Sequence, residues 1–312
     1  MSYDWRSLHG VDTAAWSELV RLIADEDQTA EYYSAEDLAE ELEDDDVVLG
    51  EDTVAVYDGA QLVAFGQVRV RAGAVDGHAR TILMGGVHPE HRGRGIGREL
   101  MERLEDAGIS RAASIHPDIT AQLSAEAGSK AASHLALLAH RGYLPVRYFH
   151  HMIRRPQPGD AELATDPRIR PYDAALDVAV RAAHTKAFAS HWAFSPPSDG
   201  EWHQWFTGSR TFRPEHSVVM SLDGSGIDGI ALAYQYEPQE LWIGQIGVVP
   251  AARRQGIAQA GLLAVIAAAS RAGYSEVGLG VDTANADGAG ALYSGVGFVS
   301  DRTSIVHQLP VA

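Results

Sequence analysis

The chain has no cysteine. That removes a disulfide framework, a thiolate zinc site and a thiol nucleophile together. Basic residues are outnumbered: 25 Lys and Arg stand against 42 Asp and Glu, a formal charge of −17. General binding to nucleic acid or to an anionic membrane needs a basic face, so neither partner is expected. No apolar run approaches the roughly 18 residues of a transmembrane helix. The opening Met1-Ser-Tyr-Asp-Trp-Arg6 lacks the charged-then-apolar layout of a secretion signal. The expectation is a cytoplasmic protein. No Gly-x-x-x-x-Gly-Lys-Ser/Thr phosphate loop is present. Histidines are plentiful, but neither His88 with His91 nor His150 with His151 has a third ligand at metal spacing, so no metal is expected.

What the chain does have is a motif that occurs twice. Val87-His-Pro-Glu-His-Arg92-Gly-Arg-Gly95-Ile-Gly97 and Val248-Val-Pro-Ala-Ala-Arg253-Arg-Gln-Gly256-Ile-Ala258 each follow a strand-like run and open a helix-like run. Small residues at the fourth and sixth positions, counted from the arginine, make a tight loop whose amide groups converge. Such a loop at a helix N-terminus cradles a pyrophosphate, because orphan N–H groups and the helix dipole both attract anions. Arg92, Arg94 and Arg98, then Arg253 and Arg254, are placed to add positive charge.

The 312 residues leave room for two domains, each able to bury a core of its own. The periodicity predicts helices over 5–25, 35–42 (capped by Ser34), 96–107 and 131–141. It predicts strands over 47–48, 53–57, 62–71, 81–87, 112–115 and 148–154, with Asp58-Gly59 as a hairpin turn. The Pro/Gly-rich stretch after Arg155 reads as a linker. The order then repeats: helices over 173–188, 201–206, 257–272 and 288–294, and strands over 217–222, 227–236, 241–249, 277–281 and 304–309. The spacing from Arg92 to Arg253 nearly equals that from Gly142 to Gly297, which marks an internal duplication. The expected domains are 1–155 and 166–312, joined by 156–165.

A further block follows the second loop: Val281-Asp-Thr-Ala-Asn285-Ala-Asp-Gly-Ala-Gly-Ala-Leu292-Tyr293-Ser-Gly-Val-Gly297-Phe298. Together these motifs resemble the GCN5-related N-acetyltransferases (GNAT), and in particular the two-domain actinobacterial type that includes mycothiol synthase. The resemblance implies an α/β fold of two tandem GNAT-like domains, each a mixed, mostly antiparallel sheet flanked by helices. It implies acetyl-CoA as cosubstrate. In the second half, Arg253, Arg254, Gln255, Gly256, Ile257, Ala258 and Gln259 would hold its phosphates. The strand Ile246-Gly247-Val248 would splay from its neighbour and bond the pantetheine arm, with Gly247 at a bulge. In the first half the corresponding set is Gly86, Val87, Arg92, Gly93, Arg94, Gly95, Ile96 and Gly97. The resemblance casts Tyr293 as general acid to the departing thiolate, and Asn285 as a contact to the arm or a helix cap. It also places His191 and Trp192 in the acceptor wall.

Acetyl transfer to an amine needs a proton donor for the thiolate and a way to deprotonate the amine. Glu240 is the one carboxylate on the strand before the second loop and is the first candidate base. His191 is the rival, since imidazole titrates near neutral pH. In the first half Leu138 falls opposite Tyr293 and donates no proton. The second half is therefore the expected catalyst, acetylating a primary amine of a small molecule by direct attack. A cysteinyl glycoside acceptor, a protein lysine and a non-catalytic acetyl-CoA sensor are the alternatives. The oligomeric state is left open.

Overall fold

The computed structural model describes residues 3–44, 46–163, 166–285 and 288–310. In chain order the first half runs β1 (Asp4–Arg6), α1 (Thr13–Asp27), α2 (Ala35–Leu42), α3 (Leu49–Asp52), β2 (Thr53–Asp58), β3 (Gln61–Val70), β4 (Ala79–Val87), α4 (Ile96–Ile115), β5 (Ala121–Gly128), α5 (Ala132–His140) and β6 (Leu144–Arg154). The second runs β7 (Ile169–Pro171), α6 (Asp177–Phe188), α7 (Asp199–Trp202), β8 (Val218–Met220), β9 (Gly229–Tyr234), β10 (Glu240–Val248), α8 (Ile257–Ala272), β11 (Glu276–Asp282), α9 (Ala289–Gly295) and β12 (Val299–Gln308).

The chain divides into two units, Met1–Tyr148 with Arg302–Ala312, and Phe149–Asp301. This differs from the expected spans of 1–155 and 166–312 because the last strand of each half completes the other unit's sheet. β12 pairs antiparallel with β5, Ser304 opposite Gly128. β6 pairs antiparallel with β11, Val281 opposite His150. Alternating apolar residues identify a strand and its buried face, but not which edge it joins. The strand order is β1-β2-β3-β4-β5-β12 in the first unit and β6-β11-β10-β9-β8-β7 in the second. Only β4–β5 and β10–β11 are parallel among the described pairs.

Burial follows the sequence periodicity. On β9, Ile230, Leu232 and Tyr234 face α6, whose inner residues include Val180 and Ala183. Ala231 and Ala233 face the other way, onto Leu262, Val265 and Ile266 of α8. A strand covered on both faces reads as one apolar run, as this one does. In the first unit α4 lays Leu100, Met101 and Leu104 on the sheet, and α1 buries Trp16 and Leu19.

Several local expectations are corrected. The helix expected over 5–25 is a short strand and then α1, which starts where Asp12 accepts a hydrogen bond from the Ala14 N–H at 2.9 Å. Residues 47–48 form no strand; Val48 precedes α3. The strand expected over 112–115 is the last turn of α4, which ends just before Pro117 because the residue before proline avoids helical geometry. The strand itself is β5. Gly224-Ser-Gly-Ile-Asp-Gly229, which spells a dinucleotide-type Gly-x-Gly-x-x-Gly, lies in the turn into β9 and opens no helix. Among the described residues no helix is long and apolar enough to cross a membrane.

Candidate active site

In the second unit β10 and β11 begin as neighbours and then part. Among the described residues their ladder ends at Ile243 opposite Leu279, although β10 continues to Val248 and β11 to Asp282. At that point β10 has a bulge against β9, between Ile243 and Gln245. Gly244 occupies it, and a Cβ there would lie 2.7 Å from the Tyr234 ring. The bulge was expected at Gly247. That residue instead stays in register opposite Ile230, and it is glycine because a Cβ would meet Phe188 Cε2 at 2.7 Å. The first unit repeats the arrangement: β4 and β5 pair from Ala79 to Leu83, and β4 runs on through Gly86 to Val87.

The two loops that follow are nearly superimposable in backbone terms. Arg92 has φ −65° and ψ 159°, and Arg253 φ −66° and ψ 159°. Left-handed residues then alternate, Gly93 and Gly95 in the first loop, Arg254 and Gly256 in the second. Ile96 and Ile257 are buried, anchoring the first turn of α4 and of α8. No described side chain caps either helix, so the first-turn N–H groups of Ile96 and Gly97, and of Ile257, Ala258 and Gln259, face the loop opening.

The motif arginines do not reach outward as expected. Arg92 Nε donates to the Val87 carbonyl at 3.1 Å, and its terminal nitrogens hold Asp27 at 2.7 and 2.8 Å. Arg253 Nε donates to the Val248 carbonyl at 3.3 Å, and Nη2 to the Ala187 carbonyl at 3.1 Å. Both clip the loop to the strand before it and to the first helix of the unit. Positive charge at the openings falls to exposed Arg94 and Arg98, and to Arg254. A groove of about 500 Å³ lies beside the first loop, lined by Arg94, Gly95 and Arg98 and farther on by Trp5 and Asp106. Arg168, absent from the sequence reading, braces the second loop through the Gln255 carbonyl at 2.9 Å while paired with Asp166 at 2.7 Å. That pairing holds the Asp166 carboxyl down at about 2.

Tyr293 and Leu138 are structural equivalents. The Phe298 N–H donates to the Tyr293 carbonyl at 3.0 Å, as the Tyr143 N–H does to Leu138. Gly297 (φ 93°) and Gly142 (φ 84°) turn the chain between them. Tyr293 lies in the α8-side core, its ring edge-on to Phe298 at 6.3 Å. Burial pushes its hydroxyl up to about 12. Asn285 sits in the turn after β11, its N–H on the Asp282 carbonyl at 3.0 Å. It is not the cap of α9, a position Gly288 takes.

The α6 face differs from expectation in its polar residues. Glu240 starts β10 opposite Glu276, at the paired end of the two strands and about 13 Å of strand from the bulge. His191 packs on Phe188 at 4.6 Å, with half-buried Trp192 beside it. The residue that reaches the parted segment is His184. Its Nε2 lies 3.1 Å from Gln245 Oε1. It is 3 % exposed and ringed by Phe188, Phe206, Trp202 and Phe194 at 4.6 to 5.8 Å. The signal was a histidine in the apolar stripe Val180, Ala183, His184, Ala187 of α6, where a leucine would be unremarkable.

The acetyltransferase (GNAT) family matches residues 14–125 and again 178–298. The chain belongs to this family. A GCN5-related N-acetyltransferase from Sphaerobacter thermophilus is similar over 98 % of this chain and 95 % of its own, with a TM-score of 0.76 and 25 % identity. A tandem GNAT protein from the clavulanic acid biosynthesis pathway is similar over 100 % of both chains, TM-score 0.72, at 14 % identity. A GNAT from Kribbella flavida is similar over 98 % of this chain and 70 % of its own, TM-score 0.51, at 13 % identity. No curated protein matches the sequence.

GNAT folds serve acyl transfer, and the family generally uses acetyl-CoA. The residues present fit that molecule. Each loop joins uncapped first-turn amides to an exposed guanidinium, which suits a diphosphate. The edge of β10 freed beyond Ile243 suits an extended, amide-bearing arm.

Proposed function

We propose that the Phe149–Asp301 unit transfers acetyl from acetyl-CoA to a primary amine of a small molecule by direct attack. The observation that carries this is the parting of β10 from β11. It joins the α8 face, where Tyr293 lies, to the α6 face, where Gln245, His184 and the aromatic side chains lie. When bound, acetyl-CoA supplies a thioester whose carbonyl carbon the unprotonated amine attacks. Arg254, Gln255, Gly256, Ile257, Ala258 and Gln259 hold the diphosphate through backbone N–H groups. The Gly244–Val248 edge holds the arm and aims an amide at the oxygen that gains charge. Tyr293 keeps its proton at neutral pH, because burial disfavours the phenolate, and gives it to the departing sulfur. Asn285, at the turn beyond β11, contacts the arm. The proton from the amine passes through water to Glu240, whose Oε1 lies over Gly278 of β11 beside the Trp242 ring. His191 and Trp192 close the acceptor side.

The first unit binds without turnover in this scheme. Its loop has the same geometry, but Leu138 holds no proton. The test is acetyl-CoA consumption with an amine panel, read as thiol release. Tyr293→Phe should lower kcat about 100-fold and leave acetyl-CoA affinity unchanged, in the range of a lost general acid. An unchanged kcat would remove Tyr293 from the mechanism. Binding without any amine-dependent thiol release would leave a sensor.

A further inference from the structure

On a regular strand, residues three apart point to opposite faces. The bulge at Gly244 breaks that rule and brings Trp242 and Gln245 to the same face of β10. Leu241 and Ile243 lie in the α8-side core, which puts Trp242 on the α6 side. Gln245 reaches His184 of α6 on that same side. The Trp242 indole extends across β11 beside the Glu240 carboxylate: a Cβ on Gly278 would meet Glu240 Oε1 and lie 2.5 Å from Trp242 Cε3, and one on Gly280 would be 3.8 Å from Cζ2. Gly280, in the middle of the strand, is exposed and Trp242 is half-buried, with the His151 ring of β6 5.6 Å from the indole as one edge of this floor.

We propose, resting on the acetyl-transfer reading, that Trp242 and Gln245 are the acceptor-selecting pair, and that the acceptor is a small aromatic amine bearing an oxygen acceptor next to its nitrogen. The indole offers a broad flat face, which an aromatic ring covers more fully than a narrow polyamine chain, while the Glu240 carboxylate beside it suits the one ammonium such an acceptor carries. The Gln245 oxygen is engaged by the His184 imidazole, so the amide's two N–H bonds are what this side chain has left for a ligand. Those N–H groups suit a hydroxyl or carbonyl oxygen on the acceptor and have nothing to offer a hydrocarbon. His184 acts through Gln245 and is a positioning residue. Its burial among four rings fixes the imidazole, and the imidazole fixes the amide.

The test uses the full chain with acetyl-CoA and three probe amines: phenylalaninol, phenethylamine and spermidine. The expected order of kcat/KM is phenylalaninol, phenethylamine, spermidine. Trp242→Ala should cost about tenfold on both aromatic probes, and Trp242→Phe, which keeps a flat ring, about threefold. Gln245→Leu should abolish the preference for phenylalaninol over phenethylamine, and His184→Leu should do the same by raising KM for phenylalaninol more than it lowers kcat. Should Trp242→Ala fail to fold, Trp242→Phe and Gln245→Leu still decide the matter. Spermidine as the best probe, or aromatic turnover indifferent to Trp242→Phe and Gln245→Leu, would overturn the acceptor class and leave acetyl transfer standing. Acetylation of no amine at all would instead overturn acetyl transfer, and this proposal with it.

Discussion

Arg92 and Arg253 share one backbone conformation and one bond to the strand before them, yet their other partners differ. Arg92 is locked by a buried carboxylate, Asp27 at the end of α1. Arg253 holds a backbone carbonyl, Ala187 near the end of α6. The downstream helix differs in the same sense: Leu138 is fully buried where Tyr293 carries a hydroxyl. The fold of the loop thus survives duplication because the clip is a backbone-to-guanidinium contact. Chemistry is set by residues the clip does not need. In the first unit they favour rigidity, and in the second they supply the hydroxyl proposed as the proton donor and the His184–Gln245 contact on the α6 face.

The largest effect should come from closing the second loop. Gly256 is left-handed at φ 74°, so Gly256→Asp adds both backbone strain and a negative charge at the proposed diphosphate site. Calorimetry should show acetyl-CoA affinity in this unit falling by about three orders of magnitude, with turnover lost. Gly95→Asp should remove only the first unit's share of bound acetyl-CoA. If Gly95→Asp instead removes turnover, the roles of the two units are reversed. Next in size is the loss of Tyr293. Because its hydroxyl is raised to about 12, the phenol stays protonated well above neutral pH, and kcat should show no alkaline fall from this group between pH 8 and 10. A fall that disappears in Tyr293→Phe would place its ionisation lower than burial implies. Below these comes Asp27→Ala. It strands a largely buried guanidinium and should cost the first unit about 3 kcal/mol in denaturant unfolding. An undetectable loss would mean that Arg92 finds water or the Ser133 hydroxyl at 3.0 Å as a sufficient partner.

Much of this was legible in the chain. The two loops, the strands before them and the helices after them follow from the Gly spacing and from apolar periodicity, which local sterics enforce. The match of Leu138 to Tyr293 was readable from the Gly-aromatic pair that ends each helix. The exchange of last strands was not, because β6 and β12 carry alternation without any mark of the edge they join. Nor was the inward turn of Arg92, since its partner Asp27 lies far off in sequence and looks like one more acid in a helix. Gly247 misled because a bulge and a close helix contact both demand glycine. His184 was hidden because an imidazole in an apolar stripe resembles packing until its partner on β10 is known.

The smallest effect bears on why the second loop differs at its second position. Arg254 has φ 60°, where its counterpart is Gly93 at φ 73°. A side chain in that region costs about 1–2 kcal/mol, and nothing in the loop fold requires one, since glycine makes the same turn in the first unit. Arg254→Gly should therefore relieve strain, while glycine's greater freedom in the unfolded chain offsets part of the gain. The net expectation is a stabilisation of about 0.5 kcal/mol in urea unfolding. The same change removes the exposed guanidinium beside the proposed diphosphate site, so acetyl-CoA should bind a few-fold more weakly, and the deficit should shrink as salt is raised. Opposite signs for stability and affinity would mark Arg254 as a residue kept for its ligand at the expense of its backbone. Equal stability with unchanged affinity would make the two loops interchangeable at this position.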